Sequence, residues 1–144
     1  MAGSTGGRVA LLSLHPRFAS AILDGEKKVE LRRSSFAQDV SHVVVYCTAP
    51  VRRIVGWFEV AAIDIDRPAA LWRRYRDVAG VNATEFREYF DGAKRGTAIA
   101  VGDVTRLARP APLTQVGLFA APQSYRYLEP DHVRRLLRRR TAAR

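Results

Sequence analysis

The sequence predicts an α+β fold: a small β-barrel with flanking helices, a two-helix insert and a basic C-terminal helix. Three features point there. Residues 51–65 form a long, mainly apolar run interrupted by Gly56, as in a strand that bends while it travels around a small barrel. Two amphipathic helical stretches stand between late strands, and an arginine-covered helical stretch ends the chain.

The elements follow in order. Residues 1–7 are small, polar and glycine-rich and are expected to be a disordered leader. Residues 9–14 are apolar enough for a buried strand. His15-Pro16 breaks that strand, and Pro16 suits the first turn of a helix whose stripe is Phe18, Ala19, Ile22 and Leu23. Asp24-Gly25 ends the helix, glycine supplying the left-handed position that a side chain adopts only with strain.

Residues 28–33 alternate, with Val29 and Leu31 on one face and Lys28, Glu30 and Arg32 on the other, as in a half-buried strand. Residues 42–47 read as a fully buried strand, followed by the turn Thr48-Ala49-Pro50. Leu71, Trp72, Tyr75 and Val78 mark one helix of the insert, and Phe86, Tyr89 and Phe90 mark the other. Asn82 and Glu85 are spaced as a capping box, and Asp91-Gly92 stops the second helix.

Residues 96–107 return to strand character, with Ile99, Val101 and Val104 facing the core. The three prolines in residues 109–122 indicate a surface wrap, and residues 124–128 a last short strand. Pro130 opens the terminal helix, with Val133, Leu136 and Leu137 as a narrow apolar stripe among Arg134, Arg135, Arg138, Arg139 and Arg140. The expected organisation is residues 1–7 as leader, 8–128 as one domain and 129–144 as basic helix or tail.

A chain of 144 residues with 47% hydrophobic content supports one compact core. No apolar run reaches the roughly eighteen residues of a membrane span, and the start lacks the basic-then-apolar order of a secretion signal. The single cysteine, Cys47, excludes an intrachain disulfide and a multi-cysteine zinc site, which fits a cytoplasmic protein with no bound metal or cofactor. Lys+Arg 24 against Asp+Glu 14 gives +10, mostly from arginine, whose planar fork suits phosphates and base edges. RNA or a nucleotide-like ligand is the expected partner, with DNA as a further possibility. The competing account is that the arginines reflect coding bias.

The stretch Leu12-Ser-Leu-His-Pro-Arg-Phe-Ala, followed by Ala21-Ile-Leu-Asp-Gly-Glu-Lys-Lys-Val-Glu-Leu-Arg-Arg33, resembles the opening signature of the ASCH family, a branch of the PUA-like barrels. Its pattern is a helix, then glycine-x-lysine-x-x-glutamate-x-arginine. Similar matches run through Val45-Tyr-Cys-Thr-Ala-Pro-Val-Arg-Arg-Ile-Val-Gly-Trp-Phe-Glu59, Tyr89-Phe90-Asp-Gly92 and Pro122-Gln-Ser-Tyr-Arg-Tyr-Leu128. The resemblance implies a ligand cleft in a small barrel and a role in RNA binding, RNA processing or transcriptional co-regulation. Some members of the family hydrolyse RNA, and a short branch deacetylates N4-acetylcytidine through the lysine motif. This chain keeps that lysine as Lys27 but carries Glu30 where the deacetylating branch has threonine, which weakens the amidohydrolase reading.

Glu30 and Arg32 share a strand face about 7 Å apart, so both can line the cleft. The carboxylate would accept from the exocyclic amine of a base while Lys27 and Arg32 contact anionic oxygen. As a hydrolase, Glu30 would be the general base and Lys27 would stabilise developing negative charge. The alternative is a surface network in which Glu30 merely bridges Arg32 and Lys28. Whether Lys27 reaches the same face depends on where the strand begins. His15 and Arg17, at a helix start, form a second candidate phosphate contact, against the alternative that His15 is structural. Arg52 and Arg53 past the turn, and Ser124 and Arg126 around Tyr125 and Tyr127, could track a phosphate backbone. Trp57, Trp72, Phe86 and Phe90 are assigned to the core, and Cys47 to inert packing.

Overall fold

The computed structural model describes residues 7–142, with side chains as far as residue 138. Strand β1 (Arg8–Leu14) leads into helix α1 (Pro16–Leu23), and β2 (Val29–Arg32) and β3 (Val40–Cys47) follow. After β4 (Arg53–Asp66) come α2 (Pro68–Tyr75) and α3 (Ala83–Tyr89), then β5 (Gly96–Ala111), a 3-10 turn (Leu113–Val116), β6 (Tyr125–Tyr127) and α4 (Pro130–Ala142). The strands form one sheet in the order β2-β5-β4-β3-β1-β6, in which β1 and β3 run parallel and the other neighbours antiparallel. The sheet curls into a half-barrel, so the expected barrel is present but its two edge strands are not paired with each other.

The curl has local causes. The β4–β5 ladder shifts register three times, and Gly56 sits at one of the shifts. A Cβ at Gly56 would lie 2.3 Å from the Thr105 carbonyl oxygen, so the close crossing of these strands requires glycine there. At the far end, Ile54 to Gly56 spans two residues of β4 while Arg106 to Ala111 spans five of β5. That bulge takes in Arg109 and Pro110, where the proline spacing predicts a surface wrap. Proline tolerates a bulged strand because no regular ladder bond is asked of its nitrogen.

Three apolar clusters hold the described residues together. Leu12, Leu14, Val43, Val45, Phe58 and Ile99 pack with Ala19 and Ile22 of α1 in the first. The second joins Leu11, Val44, Tyr46, Ile54 and Trp57 to Leu118, Leu128 and Leu136. In the third, Val29 and Leu31 pack on Leu71, Phe86 and Phe90 of the helical insert. Leu136, with Val133 packed beside it, therefore docks α4, while Leu137 is 44% exposed. Gly7 lies against Ser41, whereas the remainder of the expected leader, residues 1–6, and the side chains of Arg139 and Arg140 fall outside the described residues. No helix among the described residues is long and apolar enough to cross a membrane.

Candidate functional site

The site begins at the end of α1. His15 has extended geometry and its carbonyl accepts from the Phe18 and Ala19 amides, starting a helix that Pro16 is shaped to open. Gly25, at φ +82°, reverses the chain, and the amides of Glu26 and Lys27 fold back onto the Ala21 carbonyl. This tight exit turns Lys27 inward before β2 begins. Its Nζ donates to the Ala79 carbonyl, stands 3.6 Å from Glu30 Oε1 and lies 5.0 Å from the centre of the Phe18 ring. Gly80 accommodates the lysine stem: it holds φ +72°, and a Cβ there would come within 3.2 Å of Lys27 Cδ.

Glu30 is buried on the opposite side of β2 from Val29 and Leu31, and among the described residues it pairs with Lys27 and Arg32 while Lys28, the partner in the surface-network alternative, is exposed. Its Oε2 meets Arg32 Nη1 at 3.3 Å. Arg32 also donates through Nη2 to the Ser124 carbonyl at 3.0 Å and the Ser124 hydroxyl at 3.3 Å. Because Arg32 ends one edge strand and Ser124 precedes the other, this guanidinium bridges the gap across which the half-barrel fails to close.

Lys27, Glu30 and Arg32 open onto a cavity of about 330 Å³ whose other walls are Ser13 and Leu14 at the end of β1, His15, Phe18, Leu31, Val81, Glu85, Phe86, Tyr89 and Gln123. Burial pushes the Glu30 carboxyl above the ordinary glutamate range, an effect that Lys27 and Arg32 oppose. Burial likewise pushes the Lys27 ammonium down, against the pull of Glu30. Both shifts narrow the gap between an acid and a base in contact, the condition under which a proton passes readily between such a pair and a ligand.

The rim is fixed by a second ion pair. Arg17 Nη1 reaches Glu85 Oε2 at 2.8 Å and its Nη2 reaches the Gly80 carbonyl at 3.1 Å. Glu85 simultaneously completes the predicted capping box, accepting from the Asn82 amide at 2.9 Å while the Asn82 side chain accepts from the Glu85 amide at 2.8 Å. Arg17, and then the Asn82 amide, hold the Glu85 carboxyl down at about 2.

Of the residues singled out in the sequence, His15, Lys27, Glu30 and Arg32 line the cavity, Arg17 reaches it through Glu85, and Ser124 through Arg32. Arg52 and Arg53 do not line it. They sit at the tip of the β3–β4 hairpin, which is tied to the end of β1 by the Thr48 amide donating to the Leu14 carbonyl. Arg126 also lies off the cavity: it is opposite Leu11 and exposed, while Tyr125 and Tyr127 pack against the first cluster. Phe86 belongs to the core as expected, yet it also forms cavity wall with Tyr89, for which the helical spacing predicts only a place in the stripe. Cys47 is buried, and burial raises its thiol pKa, as suits packing. Among the described residues, no three His, Cys, Asp or Glu side chains are grouped to hold a metal ion.

Comparison with known proteins gives a consistent result. A family model described as the ASCH domain matches residues 12–98. A protein of Zymomonas mobilis named an ASCH domain-containing ribonuclease is 33% identical over 133 residues, covering 89% of each chain. The crystal structure of ASCH from Zymomonas mobilis superposes with a TM-score of 0.84 at 32% identity, over 91% of this chain and 94% of that one. The N-terminal domain of Staphylothermus marinus McrB gives a TM-score of 0.58 at 8% identity over 92% and 94% of the two chains, a likeness of fold alone.

Proposed function

The chain belongs to the ASCH domain family, and from that premise we propose that it binds single-stranded RNA and cleaves it, by transesterification to a 2′,3′-cyclic phosphate and a 5′-hydroxyl, at the Lys27–Glu30–Arg32 cavity. The observation that carries this reading is a buried carboxylate held between two cations and opened onto a cavity of about 330 Å³. Buried charge that is loosely paired and faces an open space is poorly explained by stability, because desolvation offsets the Coulombic gain. The ribonuclease name of the Zymomonas mobilis relative supports RNA as the ligand. So does the +10 charge of this chain, which favours a polyanion.

In this reading the aromatic wall of Phe18, Phe86 and Tyr89 takes the base and the cations take phosphate oxygens. Glu30 removes the proton from the ribose 2′-hydroxyl as that oxygen attacks the neighbouring phosphorus. The new P–O bond forms as the bond to the 5′-oxygen breaks, and the departing oxygen takes a proton from Lys27. Arg32 offsets charge on the phosphoryl oxygens. The raised Glu30 pKa places the acid limb of the rate profile above the ordinary glutamate range.

The test is binding and cleavage of a single-stranded RNA by wild type and Glu30→Gln across a salt series. Affinity should fall with salt. Glu30→Gln should keep affinity within a few-fold and lose cleavage by about 10²–10⁴-fold. Absence of binding at low ionic strength would overturn the reading, and undiminished cleavage by Glu30→Gln would remove Glu30 from the chemistry.

A further inference from the structure

The charged side chains that line the cavity already have protein partners. Lys27 and Arg32 hold Glu30, while Arg17 and the Asn82 amide hold Glu85. The Ser13 hydroxyl on the same wall donates to the Pro122 carbonyl at 2.8 Å. Gln123 differs: it lines the cavity, yet its side-chain amide forms no hydrogen bond with a described residue.

The backbone on either side of Gln123 is nevertheless fixed. The β1–β6 register pairs Leu12 with Tyr125, and the Ser13 amide, donating to the Ser124 carbonyl at 3.3 Å, carries the pairing one rung further. The next rung sets Gln123 against Leu14, which is also a wall residue. Pro122 is held by the Ser13 hydroxyl, and Ser124 accepts from Arg32 Nη2 through its carbonyl at 3.0 Å and its hydroxyl at 3.3 Å. Gln123 is thus clamped between the end of β1 and the guanidinium of the charged trio. A solvated glutamine needs no protein partner, so a free amide alone decides nothing. Its place does, because a side chain carried on a fixed backbone at the cavity wall contacts a ligand at a lower ordering cost.

We infer that Gln123 reads the edge of the base that enters the cavity, and that this base is adenine. An amide presents one acceptor beside one donor. Adenine presents the complementary pattern on both of its open edges, the N6 amine beside N1 and the same amine beside N7, so the amide meets it in either orientation. Guanine offers two acceptors, O6 and N7, along the second of those edges, and a pyrimidine has no N7. The inference rests on the RNA reading of the cavity and sharpens it: the strand is held and cut beside an unpaired adenosine, because in a duplex the edge bearing N1 is already paired.

The experiment uses single-stranded RNAs of about eight nucleotides, uridine throughout or with one central adenine, cytosine or guanine. Affinity and cleavage position are measured at one salt concentration for wild type, Gln123→Ala and Gln123→Glu. Wild type should favour the adenine strand over the all-uridine strand by about 5- to 150-fold. Gln123→Ala should level the four strands. Gln123→Glu, which offers two acceptors, should move the preference to guanine, whose N1 and N2 amine donate side by side. Both variants should unfold at the wild-type temperature, since no protein contact of the side chain is lost. A wild type that binds RNA without favouring adenine, or an adenine preference that survives either substitution, overturns the inference and leaves the cavity reading standing. A wild type that binds none of the strands overturns both.

Discussion

Two charge clusters of mirrored composition sit in different surroundings on this molecule. Arg74 bridges Asp64 at 2.5 Å and Asp66 at 2.6 Å on the outside of the insert, with side chains 45%, 29% and 34% exposed. Lys27 and Arg32 flank Glu30 at 3.6 and 3.3 Å, with side chains 3%, 17% and 7% exposed. The better contacts are in the cluster where they matter less. Water screens the outer trio whether or not it pairs, and Arg74, with the Arg67 amide assisting, merely holds the Asp66 carboxyl low. The inner trio has lost its hydration for looser contacts, so its groups stay responsive to whatever enters the cavity. The difference teaches that contact distance and burial rank these clusters in opposite orders, the shorter pairs lying where water screens them.

Substitutions can break or sharpen that contrast. Lys27→Ala should have the largest effect on stability, because it removes the ammonium on which Glu30 and the Ala79 carbonyl both rely. Breaking such a buried pair costs about 3 kcal/mol, read as a lower urea midpoint with an unchanged slope. Arg32→Lys should be milder, since a lysine cannot span Glu30 and Ser124 with one rigid fork. A loss of about 1–2 kcal/mol is expected. Faster amide exchange at both edge strands would identify the broken bridge. Arg74→Ala should leave the unfolding midpoint where it was despite deleting the two shorter ion pairs. A large drop for Arg74→Ala and none for Lys27→Ala would reverse the ranking.

Much of this fold was legible because its signals are local. The Gly25 reversal, the Asn82–Glu85 capping box, Pro16 and Pro130 at helix starts and the bend at Gly56 each depend on a few neighbouring residues. The β5 bulge was not legible, because what keeps Arg109 and Pro110 in the strand is the register of β4. The site divides in the same way. Glu30 and Arg32 could be placed on one face by alternation. The inward turn of Lys27 depends on a carbonyl 52 residues away, and the bridge from Arg32 on a serine 92 residues away. Tyr89 and Phe86 gave no signal beyond a helical stripe, which a core face and a cavity wall share.

The central claim is that the Lys27–Glu30 pair is kept for chemistry rather than for stability, and the double variant Lys27→Met/Glu30→Gln tests it most directly. It neutralises both partners with little change in volume and leaves no buried charge unpaired between them. Thermal unfolding and cleavage of single-stranded RNA should be measured on the same preparation. The account predicts an unfolding temperature lowered far less than by Lys27→Ala alone, the residual loss coming from the Ala79 carbonyl and Arg32, together with loss of cleavage. A variant that unfolds much earlier yet cleaves RNA as well per folded molecule would contradict it, making the pair a structural brace and moving the chemistry elsewhere.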